Sequence, residues 1–211
     1  MDSTSILTKG EIAAVLSDLK RGRRLRYPNV RRNLTIFRLS CCCGLRASEI
    51  CGLDIGDVVT LAGERPCVRV RKEITKGREG QRRSRNVPLW WDSGTLEDLT
   101  SWLRFRMQMA EAVLVSDPFV CSLAGAATGR RLLRQQVASM WQTAIRVLGT
   151  ERVRQLSIHK GRHSFCSHAL QAGLSLVAVR DAAGHANVSM TSRYLHVVQD
   201  EGPIDIFGAK E

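Results

Sequence analysis

Acidic side chains are in short supply in this 211-residue chain: 20 Asp and Glu stand against 32 Lys and Arg, leaving a net charge of +12. That imbalance argues against a basic partner and for a polyanion. Long apolar runs are missing too. None reaches the 18 residues a membrane-spanning helix needs, and the opening MDSTSILTKG has neither the charged-then-apolar order of a secretion signal nor the character of a transit peptide. The chain is therefore expected to be soluble and intracellular, in the cytoplasm. Its seven cysteines, three of them consecutive (Cys41, Cys42 and Cys43), contain no C-x-x-C pair and no even framework. They are expected to be small buried apolar residues in a reduced compartment. A phosphate-binding P-loop and a carboxylate cluster are both lacking, so neither ATP nor a metal is implied. Tyrosine is scarce, with only Tyr27 and Tyr194 present.

The 44% hydrophobic content suffices for one good core, so the whole of 1–211 is expected to form a single domain. The positive charge is clustered. Lys20 to Arg32 holds seven basic residues and Arg69 to Arg85 eight. All five histidines (His159, His163, His168, His185 and His196) fall within 38 residues, on a stretch that also carries Tyr194. Ser157 is expected to cap a helix running to Gly173, Ser175 a shorter one ending at Gly184, and Ser189 a last short one carrying Tyr194. His159 and Arg162, three apart, project from one face of the first turn, where the positive helix end suits an anion such as a phosphate. Zinc is the rival use for these histidines. His159 and His163 have the spacing of H-E-x-x-H, but Lys160 replaces the glutamate and Arg162 adds a second cation, which argues against a metal.

Upstream, Thr8 and Glu11 have capping-box spacing ahead of Ile12, Val15 and Leu19. Val30 to Cys43 reads as a largely buried helix ending at Gly44. Arg46 opens a short helix with Glu49 one turn on; taken alone, the two would make a surface pair worth only ~0.3 kcal/mol. Cys67 to Glu73 alternates like a half-buried strand, a basic loop follows, and Asn86 to Leu89 returns as a second strand. Leu96, Leu99, Leu103, Ala110 and Val113 mark one helical stripe of the core. Leu132, Leu133, Val137, Met140, Trp141, Ile145 and Leu148 mark another. Trp90, Trp91, Trp102 and Trp141 are expected to pack the scaffold.

His159, Arg162, Gly184-His185 and Tyr194 form the pattern H-x-x-R, then G-H, then Y. With Gly44-Leu45-Arg46-Ala47-Ser48-Glu49-Ile50 and with Lys76-Gly77 ahead of Asn86-Val87-Pro88-Leu89, the chain from about Leu7 to about Val198 resembles the tyrosine recombinases, the phage-integrase family. The resemblance implies an α+β fold, mostly helical, with a small antiparallel sheet carrying the lysine hairpin. It implies a site-specific DNA recombinase or integrase, of a mobile element or of replicon dimers, acting through a 3′-phosphotyrosine intermediate without cofactor or metal. The alternatives are a tyrosine-type topoisomerase and a catalytically silent DNA-binding accessory protein. Six catalytic residues are implied: Arg46, Lys76, His159, Arg162, His185 and the nucleophile Tyr194.

Two arginines suit the charge that grows on a phosphodiester's non-bridging oxygens, because the guanidinium is a planar fork that stays charged. His185 adds a hydrogen bond, and His159 is the expected base for a phenol that is only ~0.1% ionised at pH 7. Lys76, reaching the minor groove, is the expected acid for the departing 5′-oxygen. Arg78, Arg82 and Arg83 are expected to hold DNA phosphates without reading sequence. His163 and His168 are expected to be structural. The partner is double-stranded DNA, and the chain is expected at the nucleoid, with accessory DNA-binding proteins possible as further partners. The N-terminal core-binding domain usual in the family is expected to be absent, leaving an excised catalytic half or a protein relying on partners for half its grip. For the tail, 198–211, the resemblance implies docking on a neighbouring protomer in a tetramer, and the alternative is a frayed terminus.

Overall fold

The computed structural model describes residues 6–58, 65–75, 82–89, 91–109 and 113–195. The architecture is α+β and mostly helical, with one two-stranded sheet among the described residues. Helix α1 (Lys9–Lys20) starts at the expected capping box: Thr8 Oγ1 accepts from the Glu11 N–H, and the Glu11 carboxylate accepts from the Thr8 N–H. Helix α2 (Pro28–Cys41) begins with proline in its first turn, where the missing N–H costs no hydrogen bond. It is the axis of the fold. Every residue from Arg32 to Cys41 is buried, with α1, α4 (Ser93–Met107), α5 (Arg134–Ala144) and α7 (Ile158–Gln171) packed around it. A helix so enclosed buries polar groups as well, and Arg38 among them is paired on two sides, whereas Arg32 Nε and Asn33 Oδ1 are buried without a hydrogen-bond partner. Arg38 donates from Nε to Asp98 at 2.8 Å and from Nη1 to Asp92 at 3.0 Å, while Lys20 meets Asp98 at 2.7 Å, joining α1, α2 and α4.

Between α2 and α3 (Ala47–Gly52) the chain turns at Gly44 with φ +68°. A side chain is excluded there twice over, by the left-handed backbone and by Phe165, whose Cδ1 would lie 2.4 Å from a Cβ. Strands β1 (Cys67–Val70) and β2 (Arg85–Pro88) pair antiparallel with Val68 opposite Val87 and Val70 opposite Arg85. The first strand is shorter than expected: after Val70 the chain tightens into a 3₁₀ turn at Lys72–Ile74. Helices α6 (Thr150–Gln155), α8 (Leu176–Ala183) and α9 (Ser189–Ser192) complete the chain order.

Two apolar clusters result. The larger surrounds α2 and includes Phe37, Leu39, Trp102 and Trp141. The smaller joins Phe165, Cys166, Ala169 and Leu170 of α7 to Val179, Ala182 and Ala183 of α8, and Tyr194 completes it. Trp102 and Trp141 are scaffold, at 1% and 0% exposure, and the half-buried Trp91 packs on the smaller cluster; Trp90 and Ala110 lie outside the described residues. Leu133 departs from its expected place in the core and is 68% exposed, because it precedes α5 and points away from the stripe that Val137 and Trp141 continue. Five of the seven cysteines, Cys41, Cys43, Cys51, Cys121 and Cys166, are buried as expected. Among the described residues no helix is long and apolar enough to cross a membrane.

Candidate active site

Arg46 occupies the N-cap of α3, and its backbone N–H donates to Glu49 Oε2 at 2.8 Å. That bond bends the Glu49 side chain back to the helix start, where it also accepts from Arg46 Nη1 at 3.0 Å. The pair is no surface ornament, because Glu49 is 0% exposed. Arg162, in the second turn of α7 and 2% exposed, lies behind it, with Nη1 3.9 Å from Glu49 Oε2 and donating at 2.8 Å to the Gly44 carbonyl. Its Nη2 is buried without a hydrogen-bond partner. Burial, then the charge of Arg46, lowers the Arg162 pKa to about 10, which still leaves it charged at neutral pH.

Helix α8 is capped as expected, Ser175 Oγ accepting from the Ala178 N–H, and it ends at Gly184 with φ +65°. His185 follows at once. Its Nδ1 shares a hydrogen bond of 2.8 Å with Oγ1 of Thr191, a fully buried residue of α9. If Nδ1 accepts from the hydroxyl, Nε2 is left as a donor. Ser189, the expected cap of α9, is instead its first residue; the N-cap position is Val188, which offers no side-chain bond, and Asn187 Oδ1 accepts from the Met190 N–H at 3.1 Å. Tyr194 follows α9 and folds back on α7, 5% exposed.

The phenol oxygen is 2.8 Å from Nδ1 of His163, a residue expected only to be structural. The His159 ring stands edge-on behind, 4.5 Å from that of His163, and is exposed. The His185 ring lies parallel to Tyr194 at 6.3 Å. Burial, reinforced by His159 and Lys160, pushes the His163 pKa down to about 4; burial, then Arg162 and Arg46, pushes that of His185 to about 3. Both imidazoles are neutral at pH 7. Because each binds its proton more weakly folded than unfolded, folded stability declines as pH falls from about 6.5 towards 4. Burial raises the Tyr194 phenol to about 12, so this arrangement holds it protonated.

The site opens on a groove of about 810 Å³ bordered by Arg46, Arg82, Arg83, Arg85, Arg180 and His185. Arg82 and Arg83 are exposed along it. Five of the six expected catalytic residues, Arg46, His159, Arg162, His185 and Tyr194, thus converge on one region. Lys76, together with Arg78 and His196, lies outside the described residues. Sequence reasoning did not single out Arg85 or the contact of His163 with the phenol. The first was one cation among eight in a basic stretch. The second shares a helix face with His159, so its i, i+4 spacing was the available signal.

A family model described as the phage integrase family matches residues 6–201. A tyrosine recombinase XerC of Azotobacter vinelandii is 33% identical over 168 residues, covering 79% of this chain and 48% of the relative. The chain spans about half the length of such curated relatives. The fold is that of the XerA recombinase crystal structure, at a TM-score of 0.66 and 20% identity over 90% of this chain and 58% of that one. It is also that of the XerH site-specific recombinase, solved bound to palindromic difH substrate in a post-cleavage complex, with a TM-score of 0.65 and 20% identity over 92% of this chain and 50% of that one.

Proposed function

The chain belongs to the phage integrase family, and on that premise we propose that it breaks and rejoins double-stranded DNA through a 3′-phosphotyrosine formed by Tyr194, as the catalytic part of a site-specific recombinase. One observation carries the proposal. The only buried tyrosine sits hydrogen-bonded to an imidazole, beside two arginines that share one buried carboxylate, at the edge of an arginine-lined groove. The DNA-bound XerH structure supports the choice of partner, since this chain has the same fold.

Arg46, Arg85 and Arg162 carry three positive charges around the single charge of Glu49, a surplus of two that suits a phosphodiester gaining charge as it is attacked. The unpartnered Nη2 of Arg162 is a donor whose desolvation is already complete, and a phosphate oxygen would satisfy it. His185, fixed by Thr191, offers Nε2 to the same phosphate. The attacking phenol loses its proton as its oxygen bonds to phosphorus and the 5′-oxygen leaves; Lys76 is proposed as the donor that protonates that oxygen. Bond energy is kept in the phosphotyrosine, so a 5′-hydroxyl can reverse the step. Exposed Arg82 and Arg83, with Arg78, are proposed to hold backbone phosphates.

The geometry favours His163 over His159 as first acceptor of the phenolic proton, since its Nδ1 is already 2.8 Å from the oxygen. His163→Ala is expected to slow adduct formation on a nicked suicide duplex by roughly 10²-fold at pH 7. Its rate should also climb with pH, as the phenolate fraction takes over from the lost base. His159→Ala should lose less. The reverse ranking of the two variants would return the base to His159.

The same duplex tests the function as a whole. Adduct with strand exchange is the expected outcome; adduct with relaxation alone would mean a topoisomerase, and absence of any adduct a silent DNA-binding protein. Tetrameric assembly through the tail is a further part of the proposal, resting on the family resemblance. Removing Pro203 to Glu211 should weaken multimer formation on DNA in native gels; an unchanged ladder of complexes would remove the tail from that role.

A further inference from the structure

Arg85 is the first residue of β2, opposite Val70, and its side chain is 10% exposed. All three of its guanidinium nitrogens are engaged. Nη1 donates to Glu49 Oε1 at 3.0 Å and Nη2 to Oε2 at 2.9 Å, a two-pronged pairing, and Nε donates to the Ala182 carbonyl at 2.8 Å. The guanidinium also lies flat against the backbone that precedes His185. A Cβ on Gly184 would fall 2.8 Å from its Cζ, so the left-handed glycine cap of α8 is also what lets this group approach.

One side chain therefore links the strand of the lysine hairpin, the carboxylate that orients Arg46, and the end of the helix that presents His185. Glu49 is where this matters most. Burial alone would raise the Glu49 pKa, but the hydrogen bond and charge of Arg85, then those of Arg46, lower it instead, so the carboxylate stays charged inside the protein. With Arg85 removed, that charge would be left to Arg46 and Arg162. The two guanidiniums needed by the phosphate would then be drawn onto Glu49, because a buried carboxylate without its partner is costly.

We propose that Arg85 is a positioning residue of the strand-cleavage site: it occupies both oxygens of Glu49, so that Arg46 and Arg162 keep donors for the phosphate, and it ties down the turn that carries His185. This rests on the function proposed above, and the unaltered chain separates the two. If the unaltered chain forms no adduct, the functional proposal fails; if it does, the Arg85 variants decide this one.

The test is the single-turnover rate of covalent adduct formation on the suicide duplex, with DNA affinity and thermal melting measured alongside. Arg85→Met should lower the rate by about 10²-fold, the scale of a small misplacement in an active site. Arg85→Lys, which keeps the charge but not the fork, should fall between. The decisive variant is Arg85→Met combined with Glu49→Gln. Removing the stranded charge should make the double variant about tenfold faster than Arg85→Met alone, a rescue that loss of general structure or of a direct phosphate contact would not produce. If Arg85→Met does not fold, Arg85→Lys with and without Glu49→Gln reads the same coupling. A wild-type rate in Arg85→Met, or losses in the double variant that simply multiply, would overturn the proposal.

Discussion

Tyr194→Phe should form no covalent adduct with DNA while keeping its affinity for the duplex within a few-fold. The substitution is well controlled by its surroundings. The ring belongs to the smaller apolar cluster, with Phe165, Ala169, Leu170, Val179 and Ala182, and phenylalanine keeps that ring. What disappears is one oxygen and its hydrogen bond to His163 Nδ1. The net loss in stability should be about 1 kcal/mol, small enough that the variant stays folded and a melting curve can show it. On the proposed function, affinity for DNA is expected from the arginines along the groove and not from a side chain that is 5% exposed. No other tyrosine can take over: Tyr27, the chain's second, is 63% exposed at the start of α2, on the far side of that helix in sequence from Gly44 and Arg46. Adduct persisting in Tyr194→Phe, detected as labelled DNA that migrates with denatured protein, would remove Tyr194 from the mechanism.

Arg162→Ala should reduce single-turnover cleavage by roughly 10² to 10³-fold, the cost typical of losing one preorganised donor to a developing negative charge. Two features of its setting make it the more informative of the two arginines. It is almost wholly buried, so its charge acts in a medium that screens it little, and its Nη1 is anchored on the Gly44 carbonyl while Nη2 is unpartnered. Anchoring on one prong aims the other. Arg162→Lys should recover only part of the rate, because an ammonium supplies a point charge and cannot hold Gly44 and a phosphate oxygen at once in the same plane. Removal of Arg162 also leaves the Gly44 carbonyl short of a donor, so melting temperature has to be followed with rate. A lowered melting temperature with an unchanged rate in the folded fraction would deny Arg162 its role in the chemistry.

Much of this site could be read from local pattern. The capping box at Thr8, the Ser175 cap and Gly184 stop of α8, and the alternation of Val68 and Val70 each depend on residues within a turn or a few positions of one another, which is the range over which capping and periodicity act. The helical stripes marked Val137, Trp141 and Leu99 as core for the same reason. The limits of that range show at Leu133, which continues the apolar pattern in sequence yet stands outside the helix and in solvent.

Glu49 shows the same limit in energetic terms. Spacing alone identifies an i, i+3 partner for Arg46, a contact of little value on a surface, whereas enclosure by Arg85 and Arg162 makes it the charge around which the site is built. His159 and His163 are equivalent by spacing, since both face one side of α7. The fold-back of Tyr194 across that helix distinguishes them.

From the sequence alone came the chemical inventory and its order along the chain: two arginines, the histidines, a tyrosine, a basic hairpin, and the helices and caps that carry them, because these are matters of residue type and short-range hydrogen bonding. The tertiary structure alone decided which imidazole meets the phenol and which of the hairpin's cations is buried as a strut. The contacts responsible join Arg85 to residues 36 and 97 positions away and Tyr194 to one 31 positions away. Nothing in a local period reports them, because they form only when α3, β2, α7 and α8 pack close enough to expel the water that would otherwise have satisfied those same charges.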